Sequence, residues 1–205
     1  FTASSKVAAP TNRSSGKTGY FLALEAKARQ IPTIVFVSGP SGFLPDGVDL
    51  IRVETTQEMR RAVRQHARSA DVIVMAAAVS DYRSVRYYPE KIKKDGERMD
   101  LELIKNPDIL RELGEAKGPR QVLVGFAAET EDIFVHAQEK LRRKNLDLLV
   151  LNEISTENPA FGTDQNQVYL ITASGIRKLE RMEKARIAAL VWDEIALIAQ
   201  AKGLS

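Results

Sequence analysis

The chain has 205 residues, 44% apolar and 28% charged, which suits one globular domain with a proper core. It has no cysteine and only two histidines, His66 and His136, so disulfides, thiolate chemistry and a histidine-rich metal site are excluded. A net charge of +3 is far from the dense basic field of a dedicated nucleic-acid binder, and no apolar run approaches membrane-spanning length. We therefore expect a cytoplasmic protein that works on neither nucleic acid nor membranes.

The first informative segment is Asn12-Arg-Ser-Ser-Gly-Lys-Thr-Gly, which runs into an apolar, helix-like stretch from Tyr20 to Ala28. Serine hydroxyls, a glycine and Lys17 at a helix start form a ready anion trap, because unpaired N–H groups and the positive end of the helix dipole point there. Gly16-Lys-Thr supplies the end of a phosphate loop, but Thr11 stands where that motif needs its first glycine, and no apolar strand precedes it. A serine-capped helix start with no ligand explains the segment equally well on its own.

Strand and helix signals then alternate. Thr33 to Val37 reads as a buried strand ending at Ser38-Gly-Pro, and Thr55 to Arg68 as a helix capped by Thr55 or Thr56. Asp71 to Ala77 is a second strand. Pro107 to Glu115 suits a short helix with proline in its first turn. Gln121 to Phe126 is a third strand, Thr130 to Lys144 a helix, Leu146 to Leu151 a fourth strand, Gln167 to Thr172 a fifth, and Met182 to Ala201 a long last helix. Such alternation predicts an α/β fold: a Rossmann-like three-layer sandwich with a mainly parallel sheet. Residues 82–106 interrupt it. We read Ile92 to Ile104 as a projecting β-hairpin, or flap, with its turn near Asp95-Gly96.

Ligands of open parallel sheets sit beyond the carboxyl ends of the strands. The polar segments expected there include Ser80-Asp81-Tyr82, Ala127-Ala128-Glu129-Thr130 and Asn152-Glu153. Asp81, after the small residues Ala76 to Ala78, suits a ribose hydroxyl, a base amino group or a metal ion, but an isolated loop aspartate more often caps a turn. Lys91 and Lys93 share one face of a strand, as phosphate ligands or as a solubilising edge. Lys140 and Lys144 share a helix face at its negative end. Phe126 suits a base or the core, and Glu129 suits Mg²⁺ or the start of a helix. Each feature has an ordinary structural explanation; their common location at one edge does not.

Eight segments in order resemble one family. They are the Asn12 segment, Val37-Ser-Gly-Pro, Ala76-Ala-Ala-Val-Ser-Asp-Tyr, Glu90-Lys-Ile-Lys-Lys, Lys105-Asn-Pro-Asp-Ile-Leu, Val124-Gly-Phe-Ala-Ala-Glu-Thr, Lys144-Asn-Leu-Asp and Phe161-Gly-x-Asp-x-Asn. They span roughly residues 12 to 200 and resemble phosphopantothenoylcysteine synthetase, the bacterial CTP-dependent phosphopantothenate–cysteine ligase of coenzyme A biosynthesis. The resemblance implies one ligase domain over 1–205, with the flap at about 90–105, and no flavin-dependent decarboxylase domain. It also implies a homodimer that takes CTP, 4′-phosphopantothenate and L-cysteine, with Mg²⁺ as cofactor.

By resemblance, Asn12 assists conversion of an acyl-cytidylate and Lys91 assists its formation. Met75, Ala76, Ala77, Asp81, Lys91, Pro107, Asp108, Ile109, Leu110, Phe126, Lys140 and Lys144 match nucleotide-contact positions. Ser14, Ser15, Gly16 and Lys17 belong to a substrate or phosphate loop, and no metal ligand is assigned. One departure stands out: the family's arginine-bearing loop does not separate Thr11 from Asn12, so we expect a segment to be missing there. The rival readings are a P-loop-like kinase or NTPase and a non-enzymatic Rossmann-like nucleotide-binding module.

Overall fold

The structure is a computed structural model and describes residues 15–85, 100–129, 133–153 and 164–204, without the side chains of 129 and 133–135. Its centre is a sheet whose middle strands are buried on both sides. The near-continuous apolar runs in β6 (Val122–Glu129) and β7 (Leu148–Glu153) leave no polar face for solvent. These two pair in parallel, and β3 (Val72–Met75) adds in parallel to the other edge of β6. Two antiparallel strands, β8 (Gln165–Thr172) and β9 (Gly175–Glu183), extend the sheet beyond β7. A separate parallel pair, β1 (Val35–Ser38) and β2 (Asp49–Arg52), and an antiparallel pair, β4 (Tyr82–Ser84) and β5 (Leu103–Lys105), complete the described strands.

Helices cover both faces. On one face, Met59 of α2 (Thr56–Ala67), Ile109 and Leu113 of α3 (Ile109–Ala116) and Leu141 of α4 (Ile133–Arg143) pack with Leu123, Leu149 and Leu151. On the other, Leu22 of α1 (Lys17–Ala28) and Ile187, Val191 and Ile195 of α5 (Lys184–Ala201) pack with Val122, Val124, Leu148 and Val150. The alternation of side chains along β6 and β7 divides the core in two. The indole of Trp192 donates to the Leu22 carbonyl at 2.9 Å and fixes α5 against α1. Among the described residues, no helix is long and apolar enough to cross a membrane.

The expected three-layer sandwich is present, with several corrections. The expected parallel strands form one part of the sheet as β3–β6–β7, and β8 and β9 add to it antiparallel. Met182 belongs to β9, so the last helix begins at Lys184. In β9 only Leu179 is buried, so an edge strand left little apolar pattern to read. β2 is Asp-Leu-Ile-Arg, two apolar residues between charges. Thr55 does cap α2, in a reciprocal box with Glu58. In α3, Asp108 is the cap, so Pro107 precedes the helix instead of sitting in its first turn. The hairpin also differs: Leu103–Lys105 pairs with Tyr82–Ser84, and 100–102 are not strand. The expected turn at Asp95-Gly96 and the arm from Ile92 lie outside the described residues.

The turn after α4 is locked by Asp147. Its carboxylate accepts from the Leu123 N–H at 2.7 Å, from Lys117 at 2.8 Å and from Lys202 at 2.7 Å. Burial pushes this carboxyl up, but the two ammonium donors and the amide outweigh it and hold it below the usual carboxylate range. One side chain thus ties the start of β6 to the turn before β7 and to the end of α5.

Candidate functional site

The helix-start segment and the last family motif meet at one corner. Gly16 caps α1 in the left-handed region at φ 79°, so glycine rather than serine forms the cap. Ser15 Oγ still accepts the Lys17 N–H at 3.3 Å. A Cβ on Gly16 would lie 2.3 Å from Ser41 Oγ, and that hydroxyl donates to the Ser15 carbonyl at 3.0 Å. The segment is therefore pressed onto the loop that follows β1. Lys17 forms an ion pair with Asp164 and lies 5.1 Å from the centre of the Phe43 ring. Lys17 lowers the Asp164 carboxyl below its usual range by hydrogen bonding and charge. Behind them, burial and then the nearby Lys17 charge lower Lys184.

A second cluster lies on the α2–α3–α4 side. Asp108 accepts the Arg111 N–H at 3.0 Å as the cap of α3 and pairs with Lys144 at 3.0 Å. Partial burial raises the Asp108 carboxyl, but Lys144 and the Arg111 amide outweigh it, and the net shift is downward. Lys144 is held there by backbone packing. A Cβ on Gly114 would lie 1.9 Å from the Lys144 carbonyl oxygen, so only glycine lets α3 touch this turn. Asn145 follows at φ 49°, donates to the Gly114 carbonyl at 2.8 Å, and its own carbonyl accepts from Lys117 at 2.6 Å. Asn145 tolerates the left-handed region and so completes the turn.

Beside this cluster, Met75 ends β3 against the core, and Ala77 and Asp81 are exposed on the loop that follows. The Asp81 carbonyl accepts the Asn106 N–H at 2.7 Å, which joins this loop to Pro107 and Asp108. Leu110 packs at the margin of the same core. Asp81 and Asp108 thus lie in joined loops after β3 and before α3, and Leu110 is in α3 itself. Lys144 lies in the turn before β7, at the amino ends of β6 and β7, from which its side chain reaches Asp108.

Other expected residues are placed differently. Ile109 is 3% exposed, so only its backbone is offered at the start of α3. Phe126 and Ala76 pack with the α1–α5 core, on the opposite face from Leu110. Lys140 is on α4 one turn before Lys144, and its carbonyl accepts the Lys144 N–H at 3.0 Å. Asn12, Ser14 and Lys91, with the Thr11–Asn12 junction, lie outside the described residues.

Three residues gain a place that the sequence reading did not give them. Asp164 meets Lys17, Asn106 is a buried hub, and the Asn152 amide oxygen at the end of β7 is buried without a partner among the described residues. Each lay in or beside a quoted segment, but partners so distant in sequence left no local signal. Among the described residues, no group of three or more carboxylates or histidines is arranged for a metal.

The model of the DNA/pantothenate metabolism flavoprotein C-terminal domain family matches residues 5–198. The chain belongs to this family. It is 39% identical over 196 residues to the coenzyme A biosynthesis bifunctional protein CoaBC of Bacillus subtilis (strain 168), covering 94% of this chain and 48% of that protein. It is 38% identical over 186 residues to the protein of the same name from Haemophilus influenzae, covering 90% of this chain and 46% of that protein. The chain thus spans about half the length of these relatives. The crystal structure of the C-terminal domain of a coenzyme A biosynthesis bifunctional protein CoaBC matches with a TM-score of 0.78 and 32% identity, over 97% of this chain and 90% of that one.

Because Gly114 admits the Lys144 turn, Gly114→Ala is expected to cost about 2 kcal/mol or more. Chemical denaturation gives that value, and loss of the Lys144–Asp108 contact in a crystal structure of the variant would show the accompanying shift of the turn. A fully stable variant with the contact intact would refute the role of this approach.

Proposed function

We propose that this domain joins 4′-phosphopantothenate to L-cysteine at the expense of CTP. The observation that carries the reading is the link of the Asp81 loop to the Asp108 loop and the pairing of Asp108 with Lys144, in segments that match the family's nucleotide contacts. Membership of the family and the names of the relatives, which place them in coenzyme A biosynthesis, support it. In that role the protein works in the cytoplasm.

The chemistry fits a site that supplies charge and position. A carboxylate oxygen of 4′-phosphopantothenate attacks the α-phosphorus of CTP, and the bond to the bridging oxygen of the β-phosphate breaks. The products are an acyl-cytidylate and pyrophosphate. The amine of L-cysteine then attacks the acyl carbon, the acyl–oxygen bond breaks, CMP leaves, and the amine proton passes to solvent. Moving phosphate charge demands cations and oriented donors more than covalent help.

Lys144 is paired to Asp108, so its ammonium is held beside the start of α3 for a phosphate oxygen to share. Asp81 is exposed for a ribose hydroxyl or a base amino group. Lys140 adds charge from α4, one turn earlier, and Lys91 contacts the phosphates as the reaction proceeds. Ser15, Gly16 and Lys17 meet the acidic substrate from the α1 corner, and Asn12 binds the acyl oxygen during cysteine attack. The few carboxylates at this site fit Mg²⁺ held chiefly by phosphate oxygens and water, as is usual for that ion. When bound, Mg²⁺ offsets triphosphate charge.

The arm formed by β4 and β5 exposes Tyr82 and Leu103 on one face and Val85 and Ile104 on the other, apolar surface suited to a second copy of the chain. A homodimer through this arm is part of the proposal. Sedimentation equilibrium checks it: a dimer is expected, Ile104→Asp is expected to be monomeric, and a monomeric wild type would contradict it.

A pyrophosphate-release assay tests the reaction. Release is expected with CTP and 4′-phosphopantothenate, and CMP with product on adding L-cysteine. Asn12→Asp is expected to accumulate the acyl-cytidylate, and Lys91→Gln to form almost none. Equal turnover by both variants and wild type would reject these roles. If Lys17→Ala abolished nucleotide binding while Lys91→Ala had little effect, a P-loop enzyme would be favoured instead.

A further inference from the structure

We propose that Asn106 is a positioning residue for the nucleotide step, its side-chain amide clamping the loop that presents Asp81 to the loop that presents Asp108. The inference rests on the ligase reading above and adds a residue that this reading does not use.

Asn106 follows β5 directly and is 5% exposed. Its backbone N–H donates to the Asp81 carbonyl at 2.7 Å. Its side-chain Nδ2 donates to the Ser80 carbonyl at 2.8 Å and approaches Thr56 Oγ1 at 3.5 Å. Its Oδ1 accepts from Arg83 Nη1 at 3.0 Å, and the same guanidinium nitrogen donates to the Lys105 carbonyl at 3.1 Å. The neighbours fix the orientation of the amide: a carbonyl must receive a donor and a guanidinium must meet an acceptor.

These contacts join four parts of the chain. Thr56 begins α2, Ser80 and Asp81 end the loop after β3, Arg83 lies in β4, and Asp108 caps α3 two residues further on. A side chain buried to this degree does not reach a ligand. It acts by holding Asp81 and Asp108 at a fixed separation, and with Asp108 the paired Lys144. Few residues of this size offer a donor and an acceptor together. Aspartate would set an oxygen against the Ser80 carbonyl, and leucine would leave both the carbonyl and the guanidinium unsatisfied. All such variants keep the backbone bond to Asp81, so they test the side chain alone.

The test uses the full chain, with Asn106→Asp and Arg83→Met compared with wild type. KM for CTP and for L-cysteine are measured, together with the two half-reactions, acyl-cytidylate formation and attack of L-cysteine on preformed acyl-cytidylate. Thermal unfolding reports the folded state. Asn106→Asp is expected to raise KM for CTP by about tenfold or more and to slow acyl-cytidylate formation, while the cysteine half-reaction stays within about twofold of wild type. Arg83→Met, which removes the donor shared by Oδ1 and the Lys105 carbonyl, is expected to shift KM for CTP in the same direction by about threefold. If Asn106→Asp does not fold, Arg83→Met decides alone.

An unchanged KM for CTP in the folded variants would overturn the proposal. So would an equal loss in both half-reactions, which is what lost stability alone would produce. A wild type that releases no pyrophosphate with CTP would instead reject the ligase reading, and this role with it.

Discussion

The candidate site depends on a contact between two backbones. α3 lies directly on the turn that leaves α4, with the Gly114 position against the Lys144 carbonyl and no side chain between them. The left-handed Asn145 and its bond to the Gly114 carbonyl set the path of that turn, and Asp147 anchors its far end to β6, Lys117 and Lys202. Lys144 then has one place to go, beside Asp108 at the start of α3. A flexible lysine would lose much side-chain entropy if it were fixed only on binding; here most of that ordering occurs on folding.

The division of the core into two halves gives the sheet two flanks. The α2–α3–α4 side holds Asp81, Asp108 and Lys144. The α1–α5 side holds Lys17, Asp164 and the buried Lys184. A two-step ligation needs a nucleotide and an acid brought to one place, and a sheet with charged groups on both flanks suits that demand. The proposed reaction asks little else of the protein than charge, orientation and exclusion of water from the mixed anhydride.

Much of the architecture was legible from residue type. Val122–Val124 and Leu148–Leu151 are apolar without a break because they are buried on both faces, and the α2 cap is spelled by Thr55 and Glu58. β9 was not legible, since a strand at the sheet edge with only Leu179 buried carries almost no alternation. The partner of Leu103 to Lys105 was not legible: it is Tyr82 to Ser84, a short exposed strand, while the expected turn at Asp95-Gly96 lies outside the described residues. Within the site, Lys140 lies in α4 as its spacing suggests, but Lys144 falls in the turn just beyond the helix. That Lys144 meets Asp108, or Lys17 meets Asp164, was not legible, because those pairs are made by tertiary packing alone. Asn106 sat in a quoted segment without a role, and its importance lies in bonds to residues far from it in sequence.

Hydrogen exchange of the full chain, with and without saturating CTP and Mg²⁺, tests the central claim most directly. Slowed exchange is expected in 76–84, 104–112 and 140–147, with β8 and β9 unchanged. Protection confined to β8, β9 or the α1 corner, or none at all, would contradict a nucleotide held at the Asp81–Asp108–Lys144 site.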